Sequence, residues 1–217
     1  YNGVTSVEIG VPKGSSVEKA PPYPPERAKP LVFYGTSITQ GGCASRPGMV
    51  YTSILGRWLD RPAINLGFSG NGRMDPEVVE LLAELDPSVY VIDCAPNMSP
   101  ESITELTEPL VEALRAAHPA TPIVLVENIR YQAGAFLPAK REAYESKNEA
   151  LLAAFDRLAA RGVENLHYVP CHALLGTDGE ATVDGTHATD LGFLRIAQAL
   201  HPVLRDILEG HGGSADD

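Results

Sequence analysis

The sequence predicts an α/β fold: a parallel sheet with helices on both faces. Three observations carry this. Five short runs are rich in β-branched and apolar residues and lack polar alternation, as expected of strands covered on both faces. Helical periodicities lie between them. The alternation of the two begins at Leu31 and continues to the end of the last helix, which implies crossover connections and parallel strands.

The strands are LVFYG (31–35), AINLG (63–67), SVYVID (88–93), PIVLVEN (122–128) and NLHYVP (165–170). After the first, Val50, Ile54, Leu55 and Trp58 recur at helical spacing. Asp75-Pro76-Glu77 reads as an N-cap with proline at the first helical position, ahead of Val78, Leu81, Leu82 and Leu85. Ser99-Pro100-Glu101 repeats that signal before Ile103, Leu106, Leu110 and Leu114, with Pro109 predicting a kink or restart. A long helix spans about 139–161 and stops at Gly162. The last spans about 189–208 and carries Phe193, Ile196, Leu200, Val203 and Ile207, with a bend expected at Pro202.

Ahead of this domain, Val7, Ile9 and Val11 alternate as in a strand. Tyr1–Gly14 is read as the tail of an upstream β region, and the prolines 21, 22, 24, 25 and 30 as a stiff linker. The alternative is an irregular arm packed on the domain. The expected division is a strand remnant and linker over 1–30, the domain over 31–210 and a disordered tail over 211–217.

The chain has 217 residues, with 17 Lys+Arg against 28 Asp+Glu and a net charge of −11. That balance argues against a nucleic-acid partner, which demands a basic stripe. No apolar run approaches the roughly 18 residues of a membrane span. Cys43, Cys94 and Cys171 are widely spaced, form no CxxC and are read as small buried apolar residues.

In open parallel sheets, ligands sit beyond the carboxyl ends of the strands. Chemistry-bearing residues cluster there. Gly35-Thr36-Ser37-Ile38-Thr39-Gln40-Gly41-Gly42 follows the first strand, Gly67-Phe68-Ser69-Gly70-Asn71-Gly72 the second and Ala95-Pro96-Asn97 the third; Asp184-Gly185-Thr186-His187 precedes the last helix. A hydroxyl, an imidazole, a carboxylate, an amide and glycine N–H groups are the parts needed for acyl transfer. GTSITQGG lacks the lysine of a phosphate loop, and neither Ser37 nor Ser69 sits in G-x-S-x-G. Asp184 and His187, with His167 or His172, would be candidates for a metal site, but their spacing gives no support. Singly, each residue also has a structural reading as turn, cap or surface loop.

The four blocks, in this order over residues 31 to about 208, resemble those of the SGNH (GDSL-like) hydrolase family. The resemblance implies a three-layer α/β/α sandwich with a five-stranded parallel sheet, of flavodoxin-like type. It implies Ser37 as nucleophile, Asp184 and His187 as acid and base, and the Ser37 and Gly70 N–H groups with the Asn97 amide as oxyanion hole. No cofactor or metal is implied. Thr36 stands where the family usually has Asp, and Ala95-Pro96-Asn97-Met98 replaces the usual G-x-N-D, which marks a divergent branch. The N-terminal piece also resembles the end of a β-sandwich that precedes this domain in some relatives.

Arg73, Asn128, Arg130 and Tyr131 also follow strands on the same edge and are candidates for lining the substrate pocket. Arg46, Tyr51 and Trp58 are read as scaffold. The expected function is a serine esterase acting on short, acetyl-type esters of a carbohydrate-like alcohol. The expected partner is thus a small-molecule or glycan ester. The alternatives are an acyltransferase on the same residues and a non-catalytic glycan-binding module.

Overall fold

The computed structural model describes residues 4–210, so the expected tail over 211–217 lies outside the described residues. Five parallel strands, β1 (Leu31–Gly35), β2 (Ala63–Gly67), β3 (Val89–Asp93), β4 (Ile123–Val126) and β5 (Leu166–Val169), form one sheet in the order β2-β1-β3-β4-β5. The helices are α1 (Ser37–Gln40), α2 (Tyr51–Trp58), α3 (Pro76–Ala83), α4 (Pro100–Ala117), α5 (Pro138–Ala160) and α6 (Asp190–Leu208).

Successive strand residues face opposite sides, and the two cores divide accordingly. Leu31, Phe33, Val89, Val91, Val124 and Val126 pack with Ile54 and Leu55 of α2 and with Phe193, Ile196 and Leu200 of α6. Val32, Tyr34, Tyr90, Ile92, Ile123 and Leu125 pack with Leu82 of α3, Ile103 and Leu110 of α4, and Leu151 of α5. This is the three-layer sandwich. β1, β3 and β4 are buried throughout, whereas the edge strands β2 and β5 are only partly covered.

Several expectations require correction. α4 runs through Pro109 without restarting. Its tightly packed face, with Ile103, Leu110, Val111 and Leu114 buried, holds the helix together across the missing hydrogen bond. Val7, Ile9 and Val11 form no strand: all three are exposed and no sheet edge pairs with them. Cys94 is buried, but Cys43 is exposed and Cys171 is half-buried.

The sheet order sets where chemistry can occur. The chain leaves β1 toward one edge and returns through β3 toward the other, so the crevice at the strand ends opens between β1 and β3. Gly35 pairs in register with both Gly67 and Asp93, so the segments after β1, β2 and β3 leave the sheet at one level.

Candidate active site

Ser37 is the first residue of α1. Thr36 is its N-cap, and its hydroxyl accepts from the Ile38 N–H at 3.3 Å, the role a short acid would fill at this position. The first helical turn leaves the Ser37 N–H without an intrahelical acceptor. The turn after β2 lies directly over this one. A Cβ on Gly72 would sit 1.9 Å from the Gly35 carbonyl oxygen, so only glycine lets the two segments touch. Asn65, inside β2, donates to the Thr39 carbonyl at 2.7 Å and to Thr52 Oγ1 at 3.0 Å; Gln40 accepts from the Ser69 N–H at 3.0 Å.

The segment bearing Asp184 and His187 is pinned by a short β-bridge, Thr182 to Ala188. The Val183 N–H donates to the His187 carbonyl at 2.8 Å, and the Thr189 N–H to Ala181 at 2.9 Å. Thr189 caps α6, and Asp190 accepts from the Ser45 N–H and hydroxyl at 2.9 and 2.5 Å. A histidine two residues ahead of the cap of α6 is thereby held in place.

The three side chains align. Ser37 Oγ lies 2.9 Å from His187 Nε2, and His187 Nδ1 lies 2.7 Å from Asp184 Oδ2. Asp184 Oδ1 accepts from the backbone N–H groups of Thr186 and His187 at 2.9 and 2.7 Å. Partial burial works against the Asp184 charge, but the His187 ring and these two N–H groups outweigh it and hold its carboxyl down at about 2.

Asn97 faces the turn after β2. Its Nδ2 donates to the Phe68 carbonyl at 3.4 Å, so the NH₂ faces the turn that carries the Gly70 N–H. Gly70, at φ +72°, and Asn97 are therefore neighbours, as an oxyanion pocket requires. Arg73 lines a cleft of about 210 Å³ together with Asn97, Asp75 and Ser102.

The other pocket candidates separate. Asn128 is fully buried and does not line the site. Its N–H donates to Asn148 Oδ1 at 2.8 Å, its carbonyl accepts from Asn148 Nδ2 at 3.0 Å, and its amide oxygen accepts from the Tyr131 hydroxyl at 3.0 Å. A polar residue just past a buried strand looks the same in sequence whether it is exposed or satisfied internally. Arg130 and Tyr131 line a cavity of about 680 Å³ beside the Asp184–His187 segment. Tyr51 is buried scaffold, as expected; Trp58 is 43 % exposed, its ring edge against His201. His167 is half-buried in β5 and His172 is exposed. Among the described residues no three His, Cys, Asp or Glu side chains converge as a metal site.

Sequence reasoning missed the support beneath Ser37. Asp93 Oδ2 accepts from the Thr39 and Tyr51 hydroxyls at 3.1 and 3.0 Å, the whole group being buried. Burial pushes the Asp93 carboxyl up to about 7 against the opposing pull of these two bonds. The available signal was a carboxylate closing an otherwise apolar strand. Lys147, half-buried on α5, donates to the Pro96 carbonyl at 3.0 Å and braces the turn that carries Asn97; burial lowers its pKa.

Sheet order, the strand-end segments and the Ser–His–Asp line define a hydrolase of the SGNH type. The chain belongs to the GDSL-like lipase/acylhydrolase family, whose model matches residues 28–205. Among solved structures it is similar to a GDSL-like lipase candidate from Bacteroides ovatus ATCC 8483, at 43 % identity and TM-score 0.81, over 83 % of this chain and 54 % of that one. It is similar in fold to the salicylyl-acyltransferase SsfX3 of a tetracycline biosynthetic pathway, at 20 % identity and TM-score 0.73, over 83 % and 55 %. It is also similar in fold to a two-domain esterase active on acetylated mannans, at 22 % identity and TM-score 0.65, over 88 % and 51 %. The chain thus spans about half the length of each of these proteins. No curated protein matches it.

Proposed function

We propose that this chain is a serine esterase that hydrolyses short, acetyl-type esters of a carbohydrate-like alcohol. The observation that carries the reading is the unbroken line from Ser37 Oγ to His187 Nε2 at 2.9 Å and from His187 Nδ1 to Asp184 at 2.7 Å. The Ser37 hydroxyl donates to Nε2, and Nδ1–H donates to Asp184. As Ser37 Oγ attacks the ester carbonyl, His187 takes its proton, and Asp184 steadies the imidazolium. The oxyanion takes hydrogen bonds from the Ser37 and Gly70 N–H groups and the Asn97 amide. His187 then protonates the leaving alkoxide. Water, deprotonated by His187, attacks the acyl-enzyme and frees the acid, and Ser37 Oγ recovers its proton. Arg73, which shares a cleft with Asn97, is assigned to the rim of the substrate site.

The preference for an acetyl ester of a sugar rests on similarity to the esterase active on acetylated mannans. The similarity to an acyltransferase supports a second reading, in which an alcohol replaces water in the deacylation step. An ester panel decides both matters. Acetylated sugars and p-nitrophenyl esters of rising chain length are assayed with and without an added alcohol acceptor, alongside Ser37→Ala. The proposal expects turnover dependent on Ser37 that is greatest for acetyl, with free acid as product. Acyl transfer exceeding hydrolysis would select the second reading, and turnover by Ser37→Ala would exclude both.

A further inference from the structure

The cavity of about 680 Å³ is walled by the loop after β4 and the loop after β5; Arg130, Tyr131, Phe136, Arg141 and Tyr144 are among its lining residues. It is coupled to the Asp184–His187 segment. The Gln132 N–H donates to the Gly185 carbonyl at 3.1 Å, and the Thr182 hydroxyl bonds Gln132 Oε1. Gly134 is buried against the start of α5, where a Cβ would lie 3.2 Å from the Arg141 Cα, and this contact brings Arg141 to the cavity wall. Phe136 is 87 % exposed at the cavity, a large apolar ring left almost uncovered by the described residues.

The charge of this cavity is one-sided. It presents two guanidinium groups in a chain of net charge −11. Its acid, Asp178, is bound by both Nη atoms of Arg195 at 2.6 Å. Glu145 lies 3.9 Å from Arg141 Nε, a loose contact between exposed groups. No carboxylate lies within ion-pair distance of Arg130 among the described residues. Arg130 also borders a smaller cavity with Glu127, Glu145 and Glu149, but Glu127 is engaged by the Tyr168 hydroxyl at 2.7 Å and the Cys171 N–H at 2.6 Å. Neutral sugar hydroxyls need acceptors as well as donors, whereas a carboxylate needs donors only, and guanidinium groups offer donors in matching geometry.

We propose that this cavity is the subsite for a carboxylate carried by the ester substrate, bound by Arg130 and Arg141 with its ring or chain against Tyr131, Tyr144 and Phe136. The proposal rests on the esterase reading and names the substrate class for it.

Two matched ester pairs test it. 4-Acetoxybenzoate and its methyl ester differ by a carboxylate on the alcohol side. p-Nitrophenyl hydrogen succinate and p-nitrophenyl butyrate differ by one on the acyl side. For each pair the ratio of kcat/KM, charged over neutral, is compared between the wild-type chain and Arg130→Gln, Arg141→Gln and the double variant, so that intrinsic reactivity cancels. The expected result is a ratio that falls about tenfold with each substitution, the scale of one charge-assisted hydrogen bond, and that falls in wild type as salt is raised. The pair that responds identifies the side bearing the carboxylate. Ratios equal in all four proteins for both pairs would overturn the proposal, while turnover of p-nitrophenyl acetate still dependent on Ser37 would leave the esterase reading standing. Should no ester be turned over, 4-hydroxybenzoate is titrated into the wild-type chain and the double variant by calorimetry: weaker binding in the variant supports the subsite, and equal or absent binding removes it.

Discussion

At Asn97 one amide serves two ends. Its NH₂ ties to the turn after β2 through the Phe68 carbonyl at 3.4 Å and is the donor proposed for the oxyanion. Asn97→Ala loses both, so a fall in kcat alone does not separate positioning from catalysis. Asn97→Asp keeps the shape and discards the donor. The expected outcome is a kcat lowered by about 10²–10³-fold in Asn97→Asp, with a melting temperature closer to wild type than that of Asn97→Ala. Near-normal kcat in Asn97→Asp would take the amide out of the oxyanion pocket. Asp184 gives a second expectation. Its carboxyl is held down at about 2, so it stays ionised through the working range. The acid limb of kcat/KM should therefore not be set by Asp184, which is already ionised when His187 takes the Ser37 proton. An inflection in the ordinary carboxylate range would assign the base to another group.

Asp93 and Gly72 show how neighbouring elements hold the nucleophile turn. Asp93, at the end of β3, grips Thr39 of α1 and Tyr51 of α2 and is held near pKa 7 by burial. A folded-state pKa above the unfolded value of 3.8 means that the folded chain binds this proton more tightly. Its contribution to stability is full below about pH 4, is lost as pH rises through about 7, and amounts to about 4 kcal/mol over that window. Asn has no such proton. The melting temperature of Asp93→Asn relative to wild type should therefore rise between about pH 4 and about pH 8, and parallel profiles would show that folding does not raise the Asp93 pKa. Gly72→Ala should cost about 1–3 kcal/mol and lower kcat, because the new Cβ drives the turn bearing Gly70 away from Gly35. An unchanged melting temperature would mean that the turn gives way freely.

Across the whole molecule, period and punctuation made most of the architecture readable. β1, β3 and β4 were visible as apolar runs because strands covered on both faces need apolar residues at successive positions, and the edge strands β2 and β5 kept enough of that pattern to be read. The reactive residues were visible because an open parallel sheet gathers its strand-end loops at one edge. The remainder depended on partners that a linear pattern does not contain. Asn128 and Arg130 stand two residues apart after the same strand, yet one is enclosed by Asn148 and the other borders a cavity. Pro109 is tolerated because α4 packs on the sheet and on α5, and the alternation of Val7, Ile9 and Val11 finds no neighbouring strand among the described residues. The central claim, that Ser37 is a nucleophile driven by His187 and Asp184, is tested most directly by covalent capture. The protein is treated with a serine-directed fluorophosphonate, and the adduct is located by peptide mass mapping in wild type, Ser37→Ala and His187→Ala. The account predicts one adduct, on Ser37, absent from Ser37→Ala and formed far more slowly in His187→Ala. Labelling at Ser69, or equal labelling in all three proteins, would contradict it.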